Sequence, residues 1–329
     1  MRPRRLVGRS VLADGITRYL AHKRALGRRF RTEERELCLL DHFLADRGLT
    51  RLEEITAEQL ATFLASRPRH RPRSYNHLLG AVRRLFDWLV SQELLPASPL
   101  CATPRRATAQ RVPYLFDATV ARRLLAIAGS LPDTAGAPLR GLTYRTIFAL
   151  LYGLGLRVGE VARLQRDEVD GVRAVLLVRA TKFGKSRLVP FGPQMAALLQ
   201  DYLERSGAHR GPLSPDAPVF AFRRGRAVHP GTISQTFHHL VPQLALSLPA
   251  GTAPPRLHDL RHAFAVGTLL RWYRAGIAPA DRLLQLSTFL GHVNPTSTAV
   301  YLTITADLLQ EAHQRFADWA APLLPEGSS

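Results

Sequence analysis

Six residues in the second half of this 329-residue chain carry side chains that together could cut and reseal a phosphodiester: Arg157, Lys182, His258, Arg261, His292 and Tyr301. A phosphodiester anion repels nucleophiles, so cleaving it near neutral pH needs cations on the nonbridging oxygens and on the charge that builds in the transition state. Arg157 and Arg261 suit that work, because a guanidinium offers a planar fork of donors to two oxygens and a pair of them can stand in for a metal ion. His258 and Arg261, three apart, share a helix face and could reach one phosphate, while His262 is expected to point elsewhere. Tyr301 is the candidate nucleophile; its hydroxyl, with an ordinary pKa of about 10, would be assisted by those cations and by His258. Lys182 would give a proton to the departing 5′ oxygen, a task for an amine whose pKa neighbouring charges can lower and one that arginine would do poorly. An ester to tyrosine conserves the bond energy, so rejoining needs no ATP, and neither a cofactor nor a metal is expected. Gly184-Lys185-Ser186 looks like the end of a nucleotide-phosphate loop, but Arg179 stands where that loop needs its first glycine.

Taken singly, each residue has a plainer reading. Tyr301 could be a packed helix aromatic, His292 after Leu290-Gly291 a helix cap, and Arg157 a cap or an ion-pair partner of Glu160. Gly153-Leu154-Gly155 suggests a dinucleotide loop, yet it lacks a preceding strand and the third glycine.

Charge narrows the partner. The formal net charge is +19, and the basic residues comprise 42 Arg and only three Lys, at positions 23, 182 and 185. Residues 1–110 hold 21 basic and 11 acidic side chains and residues 111–329 hold 24 and 15, so both halves are basic. That spread suits a long polyanion, DNA or RNA, better than one basic tail would, although charge alone fits a ribosomal or nucleoid protein as well. In so arginine-rich a chain, a position that keeps lysine is one where arginine does not serve, or a coincidence in a polar turn. Cys38 and Cys101 form no CxxC or metal-ligand spacing, no secretory signal is seen, and no stretch approaches the roughly 18 apolar residues of a membrane span. A cytoplasmic, nucleoid-associated protein is the expectation.

The elements that would position these residues read as mainly α with a small antiparallel β-sheet. Apolar spacing predicts helices over 11–25 and 32–46, a short third from Thr56 to Leu64, and a fourth whose buried stripe is Leu78, Leu79, Val82, Phe86 and Leu89. Between the third and fourth lies Arg67-Pro-Arg-His-Arg-Pro-Arg73, read as a proline-broken loop whose Arg69, Arg71 and Arg73 could grip a phosphate backbone; Arg83, Arg84 and Arg187 are further candidates, and a solvated basic loop is the alternative. The aperiodic Pro96–Pro113 stretch looks like a linker, giving a helical domain over 1–103, a linker over 104–116 and a second domain over 117–329. In the second domain, helices are expected near 118–129, 140–153, 157–165, 193–205, 231–246, 258–275, 279–290, 296–303 and 305–320, with a hairpin formed by 174–179 and 187–191 about a turn at 181–186.

The run Tyr152-Gly-Leu-Gly-Leu-Arg157-Val-Gly-Glu160-Val-Ala-Arg-Leu164 resembles the first arginine box of tyrosine recombinases of the phage integrase kind, with Tyr152 in place of the usual small residue. Thr181-Lys182-Phe-Gly-Lys-Ser-Arg187-Leu-Val-Pro190 is similar to the family's β-hairpin lysine motif, its glycine shifted by one. His258-Asp-Leu-Arg261-His262-Ala-Phe-Ala265 resembles the HxLRHxFA box, and Leu290-Gly-His292 with Thr298 and Tyr301-Leu-Thr303 resembles the box that carries the nucleophile. All four stand in family order, and only the 34-residue interval from His258 to His292 is longer than expected. The resemblance implies an N-terminal core-binding (SAM-like) domain and a catalytic domain closing on DNA, and a 3′-phosphotyrosyl intermediate. It further implies a homo-tetramer on two synapsed double-stranded sites, free as a monomer or weak oligomer, exchanging strands through a Holliday junction. It gives His292 a transition-state hydrogen bond and Glu160 a supporting role. The stretch before the first helix is expected to be too short for an extra arm-binding domain. Two rival readings are a type IB topoisomerase-like relaxing enzyme and a catalytically silent DNA-binding protein.

Overall fold

The structure is a computed structural model that describes residues 9–28, 30–106, 113–179, 186–222, 225–248, 254–292, 294, 296–299 and 301. The chain divides into two compact units, Met1–Gln110 and Arg111–Ser329. Among the described residues no helix is long and apolar enough to cross a membrane.

The first unit is built on α1 (Ala13–Ala25), α2 (Arg31–Ala45), α3 (Ala57–Ala65) and α4 (Pro72–Ser91). Thr56 starts α3 through a capping box in which its side chain accepts from the Gln59 amide while Gln59 Oε1 accepts from the Thr56 amide. The long helix α4 buries the expected stripe, Leu78, Leu79, Val82, Phe86 and Leu89, against Leu37, Leu40 and Leu44 of α2 and Ile16 and Leu20 of α1. Pro72 does not break it. Proline at the first helical position costs no backbone hydrogen bond, so the basic run passes into α4 with Arg71 as its N-cap.

In the second unit α5 (Ala118–Gly129) is capped by Asp117, whose Oδ1 accepts from the amides of Thr119 and Val120 at 2.7 and 2.8 Å. Helix α6 (Arg140–Gly153) is buried on most of its circumference, with Tyr144, Ile147, Phe148, Leu150 and Leu151 in the core. Helix α7 is only Val158–Val161, shorter than the expected 157–165. The shortfall has a clear cause: the Leu164 carbonyl accepts from the Val219 amide and the Arg166 amide donates to Ala217, so these backbone groups pair across the chain instead of along a helix.

The sheet has three strands, β1 (Val169–Asp170), β2 (Val175–Val178) and β3 (Arg187–Pro190), antiparallel and in that order, so a short edge strand joins the expected hairpin. Register pairs Leu176 with Val189 and Val178 with Arg187. Leu176, Val178 and Val189 face the core, and Pro190, which cannot donate to a ladder, falls on an edge strand. The remaining helices are α8 (Pro193–Arg210), α9 (Pro230–Leu240), α10 (Asp259–Arg274), α11 (Pro279–Leu290) and α12 (Thr296–Ala299). Pro242 ends the expected 231–246 helix early, and Val241–Leu244 continues as a 3-10 turn. The turn at 181–185 with Lys182, and the helix expected at 305–320, lie outside the described residues.

Candidate active site

The site gathers where the loop before α7, the last strand β3, the start of α10 and the end of α11 meet. Two glycines make the meeting possible. Gly155 and Gly291 both adopt left-handed backbone, φ +59° and +67°, and a Cβ on Gly155 would lie 2.5 Å from the Phe264 ring while one on Gly291 would lie 2.7 Å from an Arg187 nitrogen. The turns these glycines allow aim main-chain carbonyls at the arginines.

Arg261, on the first turn of α10, is 1% exposed. It donates from Nη1 to the Gly155 carbonyl and from Nη2 to the Leu290 carbonyl, both at 2.6 Å. Its Nε has no hydrogen-bond partner among the described residues. Burial and the charge of Arg157 bring its pKa down to about 9, which leaves it cationic at neutral pH. Arg157 donates from Nη1 to Glu160 Oε1 at 2.8 Å and to the same Leu290 carbonyl at 3.3 Å, and from Nη2 to Gly291 at 2.8 Å. A guanidinium carries five N–H donors, so each arginine keeps donors for a further ligand.

Glu160 sits beneath them, 3% exposed at its side chain. Burial alone would raise its pKa, but the hydrogen bonds and charge of Arg187, with Arg157 behind them, hold it down at about 2. Arg187 reaches both of its oxygens at 3.0 Å and gives its Nε to the Phe289 carbonyl at 2.7 Å. The sequence placed Arg187 among arginines that meet DNA; its side chain is 8% exposed and all three nitrogens are engaged inside the protein, so it braces the site from within. The plainer reading of Arg157 as a partner of Glu160 is also true, and it coexists with the carbonyl contacts that aim the guanidinium.

Tyr301 is 3% exposed. Burial raises its pKa, against the pull of Arg261 and Arg157. The His292 ring stacks over it at 6.3 Å and 23°, and His292 Nδ1 shares a 2.6 Å hydrogen bond with Thr298 Oγ1, which explains the threonine three residues before the tyrosine. Burial and the charges of Arg261 and Arg157 keep His292 neutral, its pKa near 4. His258 is the N-cap of α10 and open to solvent.

The expectation that His262 points away is wrong. Its Nδ1 lies 2.9 Å from Tyr301 Oη and its ring packs edge-on against His258 at 4.7 Å. At about 100° per residue, positions 258 and 262 fall about 40° apart on a helix, so the i, i+4 neighbour of His258 faces the same cleft. That spacing was the signal that could have found it.

Of the other arginines singled out from the sequence, Arg71, Arg73 and Arg84 are exposed. Arg69 is 3.7 Å from buried Glu36, and Arg83 donates to the Ala102 carbonyl at 2.7 Å.

Residues 116–307, more than half of the chain, match the model of the phage integrase family. The chain belongs to the phage integrase family. It is 37% identical over 312 residues to a Sinorhizobium fredii protein named as an integrase/recombinase, covering 93% of this chain and 97% of that one. It is 32% identical over 282 residues to the tyrosine recombinase XerD of Ralstonia nicotianae, covering 85% and 84%. This integrase-family chain also shares its fold with a lambda integrase tetramer bound to a Holliday junction, at a TM-score of 0.59 and 21% identity over 90% of this chain and 82% of that one. The family's mainly helical fold with a small antiparallel sheet is the architecture expected from the sequence, and its members act as site-specific tyrosine recombinases.

Proposed function

We propose that this phage integrase family enzyme recombines double-stranded DNA at specific sites through a 3′-phosphotyrosyl link to Tyr301. The observation that carries the proposal is a buried tyrosine hydroxyl lying within the field of Arg261 and Arg157 and under the His292 ring. Arg157 and Arg261 hold the scissile phosphate and neutralise the transition state, and His258 and His292 add hydrogen bonds to its oxygens. Glu160 acts by positioning Arg157 and Arg187. Lys182, in the segment of sequence between β2 and β3, protonates the departing 5′ oxygen. Because the tyrosyl ester keeps the bond energy, a 5′-hydroxyl from a second duplex can reseal the strand without ATP. Four copies on two synapsed sites, exchanging strands through a Holliday junction, suit a chain whose fold relatives include a lambda integrase tetramer on such a junction. The first unit serves as the core-binding domain and grips the backbone through Arg71, Arg73 and Arg84, with Arg69 and Arg83 at its margin.

The test is a suicide substrate: duplex DNA from the native flanks of the element, nicked close to the cleavage point so that the short 5′-ended piece diffuses away. A covalent protein–DNA band on a denaturing gel, absent with Tyr301→Phe, is the expected result. Tight binding without any adduct would point to a silent DNA-binding protein.

A further inference from the structure

The nucleophile's proton needs a destination, and the structure offers one. A tyrosine whose pKa lies above its ordinary value is a neutral phenol at pH 7, and a buried hydroxyl hydrogen without an acceptor is costly. Nδ1 of His262, at 2.9 Å, is the one acceptor at hydrogen-bond distance from Tyr301 Oη among the described residues. His292 turns its own Nδ1 to Thr298. Only the tautomer with its proton on Nε2 of His262 leaves Nδ1 free to accept, so the phenol hydrogen and the imidazole lone pair are matched before DNA arrives.

We propose that His262, next to the arginine of the HxxRH sequence, is the general base that takes the proton of Tyr301 during strand cleavage and returns it during rejoining. The inference rests on Tyr301 being the nucleophile. In cleavage the Tyr301 O–H bond breaks and its proton passes to Nδ1, giving imidazolium. The Tyr301 oxygen forms its bond to phosphorus as the bond from phosphorus to the 5′ oxygen breaks, and Lys182 gives that oxygen its proton. In rejoining a 5′-hydroxyl surrenders its proton to the lysine amine and attacks phosphorus, and the leaving tyrosine oxygen recovers its proton from His262.

The surroundings of His262 suit a base that works only on substrate. Facing it are His258 from its own helix, Arg261 beside it, Arg256 ahead of α10, and Tyr301, behind which stand Arg157 and His292. Burial, and the charges of Arg256 and Arg261, keep the free imidazole neutral, near pKa 4. A bound phosphodiester adds a negative charge against those same arginines, which offsets their field and raises the basicity of His262 when it is needed.

The experiment is single-turnover cleavage of the suicide substrate by wild type and by His262→Asn, whose amide oxygen can still accept from the Tyr301 hydroxyl but cannot take its proton. The expected outcome is a roughly 100-fold slower adduct at pH 7, with a rate that climbs tenfold per pH unit where wild type is level, while melting and DNA binding stay at wild-type values. A 5′-bridging sulfur in the DNA, a leaving group that needs no proton, should rescue Lys182→Ala and leave His262→Asn slow. Wild-type speed in His262→Asn, or its rescue by sulfur, would overturn the inference. If the variant fails to fold, wild type on the sulfur substrate decides: a solvent deuterium isotope effect supports a proton in flight from Tyr301, and an effect of unity overturns it. No adduct from wild type at all would instead sink the reading of Tyr301 as nucleophile.

Discussion

Glu160 and Arg187 meet through two parallel hydrogen bonds of 3.0 Å, in a place where the carboxylate side chain is 3% and the guanidinium 8% exposed. One comes from α7, inside the first arginine box, and the other from β3. The pair joins the sheet to the arginine cluster, since Glu160 also accepts from Arg157.

Breaking this pair is expected to cost stability more than chemistry alone would suggest. Removing one partner of a buried ion pair leaves the other charge uncompensated, typically about 3–5 kcal/mol. Glu160→Ala should lower the unfolding free energy obtained from urea melts by that order, and Arg187→Ala should do likewise while leaving the salt slope of DNA binding unchanged. A salt slope reduced by Arg187→Ala would return Arg187 to the DNA-contact set.

Acid should weaken the fold in two windows. Glu160 has a folded pKa of about 2 against an ordinary 4.5, so its contribution is complete above pH 4.5 and is lost as pH falls toward 2. The 2.5-unit difference corresponds to about 3 kcal/mol. His258, His262 and His292, near 4 in the fold against 6.5 unfolded, make the unfolded chain the better proton binder between those values, so stability also falls as pH drops from 6.5 to 4. Urea melts across pH should show the upper window shrink in the double variant His262→Gln/His292→Gln, with His258 supplying what remains, and the lower one flatten in Glu160→Gln.

Arg261→Lys should behave as a severe change. Lysine keeps the charge but cannot span the Gly155 and Leu290 carbonyls, each now bonded at 2.6 Å, while also addressing a phosphate. Adduct formation should drop about 100- to 1000-fold, measured by rapid quench; a loss below tenfold would mean that the fork geometry is unimportant.

Gly155→Ala places a methyl group 2.5 Å from Phe264 on a left-handed backbone. Strain and overpacking together should cost about 2–4 kcal/mol and misplace the carbonyl that aims Arg261, so thermal melting and adduct rate should fall together.

Arg71→Ala and Arg73→Ala remove exposed cations at the start of α4. If each neutralises one phosphate, the log–log salt slope of binding should shrink by about 0.9 per residue. Filter binding across salt concentrations measures this, and unchanged slopes would mark the run as a solvated basic surface.

Much of this protein could be read from its residues in order. The helices of both units follow from apolar spacing and caps, because those interactions are local: Thr56 with Gln59, Asp117 with Thr119 and Val120, the stripe of α4. The candidate site residues could also be named, because phosphate chemistry demands rare side chains at set spacings along short motifs.

Tertiary structure decided what each of them touches. Arg187 sits 27 positions from Glu160 and 102 from Phe289, and no local pattern says that a hairpin arginine will turn inward to them rather than outward to a polyanion. His262 lies 39 positions from Tyr301, and helix periodicity puts it in the cleft beside His258 without saying that the tyrosine hydroxyl arrives there. The short α7 depends on backbone hydrogen bonds to partners far along the chain, Leu164 with Val219 and Arg166 with Ala217. A sequence sets local propensity and chemical inventory; the partners of buried polar groups are settled only when the core closes and each must find a donor or acceptor within reach.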